Sequence, residues 1–224
     1  MPIIYLLRHA QSVANTKGIL AGQDDTVALS KLGQKQAQTL VPYLKNIKFE
    51  KVLCSPLKRC VQTISPYMSS NPKISFEVEP RIIEMDYGLW SGRKLSTLSR
   101  NPQWKGVQNK PSTFTFPEGE SFKQMRKRVE SVIAELSKEE GSFLLVTHGD
   151  IIKMFIATAL DLPIDRFQSF ISEPASITSI SLGKKRNTIL QINYKLTASD
   201  LTGFKVNQLG GGNLLTNSQR WWRK

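Results

Sequence analysis

Apolar and polar positions along the chain switch repeatedly between two periods. Ile3 to Leu7 is an unbroken apolar run closed at once by Arg8 and His9, and it predicts a strand buried on both faces. Lys51 to Cys54, Ile74 to Val78 and Phe143 to Thr147 read as further strands. Between them the spacing turns helical. Ser30 predicts the cap of a helix running to about Lys45, with Leu40, Val41 and Leu44 on its inner face. Ser55-Pro56 predicts another helix start, with Ser as N-cap and Pro at the first helical position. After Gly119, the residues Phe122, Met125, Val129, Ile133 and Leu136 recur at helical spacing, with Lys and Arg on the other face. From Gly149 a further helix is expected, its stripe being Ile151, Ile152, Phe155, Ile156, Ala159 and Leu160. Ser176 to Leu182 and Thr188 to Tyr194 flank a polar turn and predict a β-hairpin.

Strands alternating with amphipathic helices predict an α/β layered domain around a mostly parallel sheet. The segment Leu89 to Pro117 has no clean period and reads as an irregular loop with short helical pieces. The pattern dissolves near Thr197. Residues 1–195 are therefore expected to form one domain, and 196–224 a polar, basic C-terminal tail ending in Arg220-Trp221-Trp222-Arg223-Lys224.

Composition narrows the class. The chain has 224 residues, 40% hydrophobic and 22% charged, as a globular protein has. No run approaches the length of a membrane span, and Arg8 arrives too early for a signal peptide. The two cysteines, Cys54 and Cys60, fit a reducing compartment and make no metal site, so a cytoplasmic location without a metal is expected. A formal net charge of +13 favours an anionic partner without identifying it.

Ligands of open α/β sheets bind beyond the carboxyl ends of the strands. Three such ends carry unusual polar residues: Arg8-His9-Ala10-Gln11-Ser12 with Asn15, Ser55-Pro56-Leu57-Lys58-Arg59, and Thr147-His148-Gly149-Asp150. The chain has only two histidines, and both stand at these ends beside turns whose free N–H groups favour an anion. A neutral imidazole is a good nucleophile near pH 7. Arg8 and Arg59 would bind phosphoryl oxygens and disfavour protonation of His9. Phosphoryl transfer needs little beyond such positioning and charge stabilisation. A general acid is still required. Glu84, flanked by apolar residues, would have a raised pKa on partial burial; Asp86 competes on spacing alone.

Leu7-Arg8-His9-Ala10-Gln11-Ser12 with Asn15, Ser55-Pro56-Leu57-Lys58-Arg59 followed by Gln62-Thr63, Glu84 in EMDYGLWSG, and Thr147-His148-Gly149 together resemble the histidine phosphatase superfamily in its phosphoglycerate mutase-like branch. The resemblance covers roughly residues 1–195. It implies a three-layer sandwich with helices on both faces of the sheet. It also implies His9 as the phosphorylated nucleophile, Arg8, Arg59 and His148 as the phosphate pocket, and Glu84 rather than Asp86 as proton donor. Asn15, Ala21, Gly22 and Gly149 are implied to line the substrate site. One departure is Ala10, where the commonest motif carries glycine. The segments DYGLWSGRKLSTL and EPASITSI are similar to those of a bacterial phosphomutase-like subgroup.

The 63 residues between Glu84 and His148 lack the long basic insertion of true mutases, which favours hydrolysis over mutase action. A small phosphorylated substrate is the expected partner, with no cofactor, no membrane, and a homodimer left open. Trp90 and Trp104 would either stack on a substrate or pack. The alternative of another class is a catalytically weak regulatory or nucleic-acid-binding protein, supported only by the basic, Trp-bearing tail. No nucleic-acid module accompanies it, and no phosphate-cradling glycine loop of a kinase or dehydrogenase follows a strand.

Overall fold

A computed structural model describes residues 1–196; the tail expected beyond them lies outside the described residues. Among the described residues six strands form one sheet: β1 (Ile3–Arg8), β2 (Lys51–Cys54), β3 (Ser75–Val78), β4 (Ser142–Thr147), β5 (Ile177–Ser181) and β6 (Thr188–Tyr194). Their order is β3-β2-β4-β1-β5-β6. The first four run parallel, and the expected hairpin adds β5 and β6 antiparallel at one side. β1 and β4 are central neighbours in a register that pairs Arg8 with Thr147. The two histidines therefore leave the sheet side by side, and His9 N–H donates to the Thr147 carbonyl at 2.9 Å.

Strand alternation sends successive side chains to opposite layers. Ile4, Leu6, Phe143 and Leu145 pack in one core beneath α6 (Phe122–Leu136) and α7 (Gly149–Ala159). Tyr5, Leu7, Leu144 and Val146 pack in the other, beneath α2 (Lys31–Lys45) and α3 (Lys58–Ser70). Each fully buried Leu or Ile contributes on the order of 1.5–3 kcal/mol, which makes the doubly buried β1 and β4 the rigid floor of the molecule. β3, by contrast, is exposed at all four positions and forms an edge.

The helices follow their caps. Ser30 Oγ accepts the Gly33 N–H at 3.0 Å and starts α2 as expected. Ser121 and Gln124 close a capping box ahead of α6. Three expectations need correction. The helix after β2 does not begin at Ser55-Pro56: Leu57 is its N-cap, and the free Lys58 N–H is capped by Asp25 Oδ1 at 2.6 Å from a distant loop. Leu160 is no part of the buried stripe of α7, because it falls at the helix C-cap and is 41% exposed. Val41 and Ile133 are only partly buried, and Val132 fills the place on α6 that its stripe leaves open.

Residues 89–117 contain the expected short helical pieces, including α4 (Leu95–Leu98) and α5 (Trp104–Asn109); a single turn, α1 (Val13–Thr16), was not expected. The irregular segment is nevertheless well packed. Trp90 stacks on Trp104 with centroids 5.9 Å apart, and Phe116 meets Trp90 edge-on at 5.3 Å. Gly88 has a positive φ of 49°, and a Cβ there would lie 2.0 Å from the Pro117 carbonyl oxygen. Only glycine allows the two ends of this segment to cross so closely.

Candidate active site

Each of the three strand ends contributes residues to one cavity of about 300 Å³. Arg8, His9, Asn15, Ala21, Gly22, Arg59, Glu84 and Gly149 all line it. His148 lies just behind, fully buried, with its ring centroid 5.2 Å from that of His9.

His9 is 3% exposed, and its Nδ1 lies 2.8 Å from the Ala10 carbonyl oxygen. A carbonyl only accepts, so Nδ1 carries the proton and Nε2 keeps its lone pair. Burial, then the charges of Arg59 and Arg8, hold the imidazole pKa well below its ordinary value. Ala10 itself is fully buried against Leu29 and Ala37. Its N–H donates to Thr63 Oγ1 at 2.9 Å, and that hydroxyl donates to the Arg59 carbonyl at 2.7 Å. The turn after β1 is thereby tied to the first turn of α3. The methyl that distinguishes Ala10 from glycine fills a small core and does not line the cavity.

The two arginines are held by backbone. Arg59 is 1% exposed and donates to the Gly22 carbonyl at 2.7 Å and the Asp24 carbonyl at 3.0 Å. Arg8 donates to the Ser172 carbonyl, while its buried Nε has no protein partner. A Cβ on Gly149 would come 3.2 Å from the Arg8 guanidinium carbon, so glycine lets Arg8 lie flat against the start of α7. The result is fixed positive charge with donors to spare at a helix N-terminus, a setting suited to a phosphoryl group.

Glu84 is 9% exposed and stands on a loop stapled to the sheet. Thr147 Oγ1 donates to the Ile82 carbonyl at 2.6 Å. Arg128 of α6 reaches the Arg81, Ile83 and Glu84 carbonyls at 2.6, 2.8 and 3.3 Å while pairing with Glu120 at 2.8 Å. The Glu84 carboxyl accepts the Met85 N–H at 3.0 Å and lies 3.8 Å from His148 Nδ1. Burial first, and the charge of Asp150 second, push its pKa up to about 7. Asp86 is not on the cavity; its carboxylate accepts the Gly88 N–H at 2.9 Å and serves the turn.

Asn15 uses its side-chain oxygen to cap α1, accepting from Ser12 N–H at 3.0 Å, which leaves its amide nitrogen as the donor for a ligand. Trp90 is buried, and only Trp104 reaches the cavity wall. Several contributors escaped the sequence reading. Ser55 Oγ, expected as a helix cap, lies 2.7 Å from His148 Nε2. Tyr87 donates to Asp150 Oδ2 at 2.8 Å, and Lys153 Nζ lies 3.3 Å from Asp150 Oδ1. The pair Asp150 and Lys153 was legible as an i, i+3 pair following the second histidine. Arg128 was not legible, because it borders the polar face of its helix. Among the described residues no group of three or more His, Cys, Asp or Glu is placed to hold a metal ion, and no helix is long and apolar enough to cross a membrane.

Comparison with known proteins gives the family. Phosphoserine phosphatase 1 of Hydrogenobacter thermophilus is 29% identical over 194 residues, covering 85% of this chain and 91% of its own. The 2,3-bisphosphoglycerate-dependent phosphoglycerate mutase of Thermoplasma acidophilum is 30% identical, covering 81% and 88%. A mycobacterial glucosyl-3-phosphoglycerate phosphatase, solved as a complex with VO3, superimposes with a TM-score of 0.78 at 25% identity, covering 86% of this chain and 99% of that one. The model of the histidine phosphatase superfamily (branch 1) matches residues 4–195. With that match over both histidines, both arginines and Glu84, the chain belongs to the histidine phosphatase superfamily.

Proposed function

We propose that the protein hydrolyses a small phosphomonoester by way of a phosphohistidine on His9. The observation that carries this reading is the His9 imidazole: it lines the cavity beside Arg8, Arg59 and Glu84, with Nδ1 bound to the Ala10 carbonyl and Nε2 left as the lone-pair nitrogen. In the first step Nε2 bonds to phosphorus as the bond from phosphorus to the ester oxygen breaks, and Glu84 gives its proton to the leaving alkoxide. The Nδ1–H···O=C contact steadies the positive charge that develops on the ring. In the second step the Glu84 carboxylate takes a proton from water, the water oxygen bonds to phosphorus, and the N–P bond breaks to release phosphate. Arg8 and Arg59 neutralise the equatorial oxygens throughout, so the two guanidinium groups supply the charge that a metal supplies in other phosphoryl-transfer sites. His148, neutral by burial and by the same arginines, stands ready to donate to a phosphoryl oxygen.

Hydrolysis is favoured over mutase action because Glu84 and His148 are linked without a long basic insertion. The catalytic unit is residues 1–195. Cys54 and Cys60 are buried free thiols, which supports action in a reducing compartment such as the cytoplasm. The test is rapid quenching in alkali with a labelled ester. Label on His9 should survive alkali and be lost in acid, and His9→Ala should abolish labelling and lower turnover by at least ~10^4-fold. Acid-stable label on Ser12 or Ser55 would overturn the assignment. Formation of an isomeric phosphate ester in place of inorganic phosphate would make the enzyme a mutase.

A further inference from the structure

The residues around the cavity divide into two chemistries. Arg8 and Arg59 flank His9, whereas Leu20, Leu95, Trp104 and Val107 form an apolar wall contributed by the loop after α1 and by α4 and α5. Trp104 is fixed in that wall by stacking on buried Trp90, with 20° between the ring planes. The one further cation on the cavity among the described residues, Lys153, is already answered. Its Nζ lies 3.3 Å from Asp150 Oδ1 and 3.3 Å from Gln168 Oε1, and 5.2 Å above the Phe167 ring. Asp150 is engaged in turn by the Tyr87 hydroxyl.

We propose, building on the phosphatase reading above, that the site selects phosphomonoesters whose leaving alcohol is uncharged and carries a planar or apolar body, and discriminates against those bearing a second anionic group. A substrate carboxylate or second phosphate would enter a cavity whose remaining lysine is paired, beside the carboxylate of Asp150. It would lose water and gain no free cation. An aryl or heterocyclic body instead displaces water from Leu20, Leu95 and Val107 and lies against Trp104. Gln108 and Gln168, also on the cavity, offer such a body amide donors and acceptors without charge.

The experiment compares kcat/KM of the full chain for three primary alkyl phosphates, so that the chemical step is matched. These are a nucleoside 5′-monophosphate, glycerol 3-phosphate and 3-phosphoglycerate, with p-nitrophenyl phosphate as the activated control. The nucleoside ester should lead and 3-phosphoglycerate should trail, separated by ~30-fold or more. Trp104→Ala should shrink the advantage of the nucleoside ester over glycerol 3-phosphate by ~10-fold. Leu95→Ala, at a site 40% exposed and thus safe for folding, should shrink it less but in the same direction. Asp150→Asn should raise 3-phosphoglycerate relative to glycerol 3-phosphate; a ratio at one pH cancels its effect on Glu84. Phosphate release with 3-phosphoglycerate equal or preferred would overturn this proposal and leave the phosphatase reading standing. Unchanged ratios in both Trp104→Ala and Leu95→Ala would remove the apolar wall from it. No phosphate from any ester, the activated control included, would overturn the phosphatase reading and this proposal with it.

Discussion

The two basic regions of the cavity wall treat their charge in opposite ways. Arg59 and Arg8 are bound by backbone carbonyls, and among the described residues neither pairs with a carboxylate. A carbonyl orients a guanidinium without cancelling it, so both cations remain available to a phosphoryl group. Lys153 sits on the same cavity but shares an ion pair with Asp150, and its field is largely cancelled. Net charge therefore says little about where an anion will bind. The difference lies in whether each cation is held by dipoles or by an opposite charge.

The largest expected effect separates these two classes. Arg59→Ala should lower kcat/KM by ~10^3-fold for every phosphomonoester, comparable to the loss of a preorganised donor to a transition-state oxygen. Lys153→Ala should change kcat/KM for glycerol 3-phosphate by less than ~10-fold, since the charge removed was already paired. Equal losses in steady-state assays of the two variants would erase the distinction.

Glu84→Gln sharpens the comparison through pH. Glu84 must be protonated to donate, so activity on alkyl esters should fall as pH rises through about 7, the value set by burial and Asp150. His9 must be unprotonated, so the acid limb should lie below pH 6.5, where burial and the arginines have moved its pKa. Glu84→Gln should cost ~10^2-fold on alkyl esters, much less on p-nitrophenyl phosphate, and remove the alkaline limb. Stability has its own sign. A carboxyl whose folded pKa is raised binds its proton more tightly when folded, so stability is lost as pH rises from about 4.5 through about 7. Glu84→Gln should therefore melt higher than the parent at pH 8 and no differently at pH 4. An alkaline limb that persists in the variant would assign it to another group.

The third prediction concerns support rather than chemistry, and it marks the limit of what the chain reveals in one dimension. The strands, the hairpin, the helix capped by Ser30 and the convergence of both histidines were legible, because period and strand-end polarity are local properties. Glu84 needed the resemblance to be chosen over Asp86. The structure separates them by burial, which depends on where the segment 80–86 is tethered. Arg128 does that tethering. It lies next to Val129 on the border of a polar face, and nothing in helical spacing distinguishes it from a solvated arginine. Arg128→Ala would leave the Glu120 carboxylate without its cation and remove the side-chain donor of the Arg81 and Ile83 carbonyls, while the Glu84 carbonyl keeps Gln23 Nε2 at 2.9 Å. Thermal or urea melts should show a loss of ~3 kcal/mol, with kcat falling more than KM rises. A loss below ~0.5 kcal/mol would return Arg128 to the surface class.

Ser55 offers the finest division, because two roles predict different readouts for one small change. As a helix cap, Ser55→Ala would cost about 1 kcal/mol of stability and leave turnover alone. As the partner of His148 Nε2, at 2.7 Å, it satisfies that nitrogen and orients the ring of a residue that no solvent reaches. Cys60 Sγ, at 3.5 Å from the same nitrogen, is a weak substitute, its thiol pushed up by burial. Ser55→Ala should then lower kcat/KM by ~10-fold, about 1.4 kcal/mol, and shift the 15N resonances of His148. Asp25→Ala is the complementary change. It removes the acceptor that caps the Lys58 N–H, so it should lower stability by about 1 kcal/mol and leave the His148 resonances unmoved. If the two variants exchanged these signatures, the carboxyl end of β2 would be a helix start after all, and His148 would owe its orientation to packing alone.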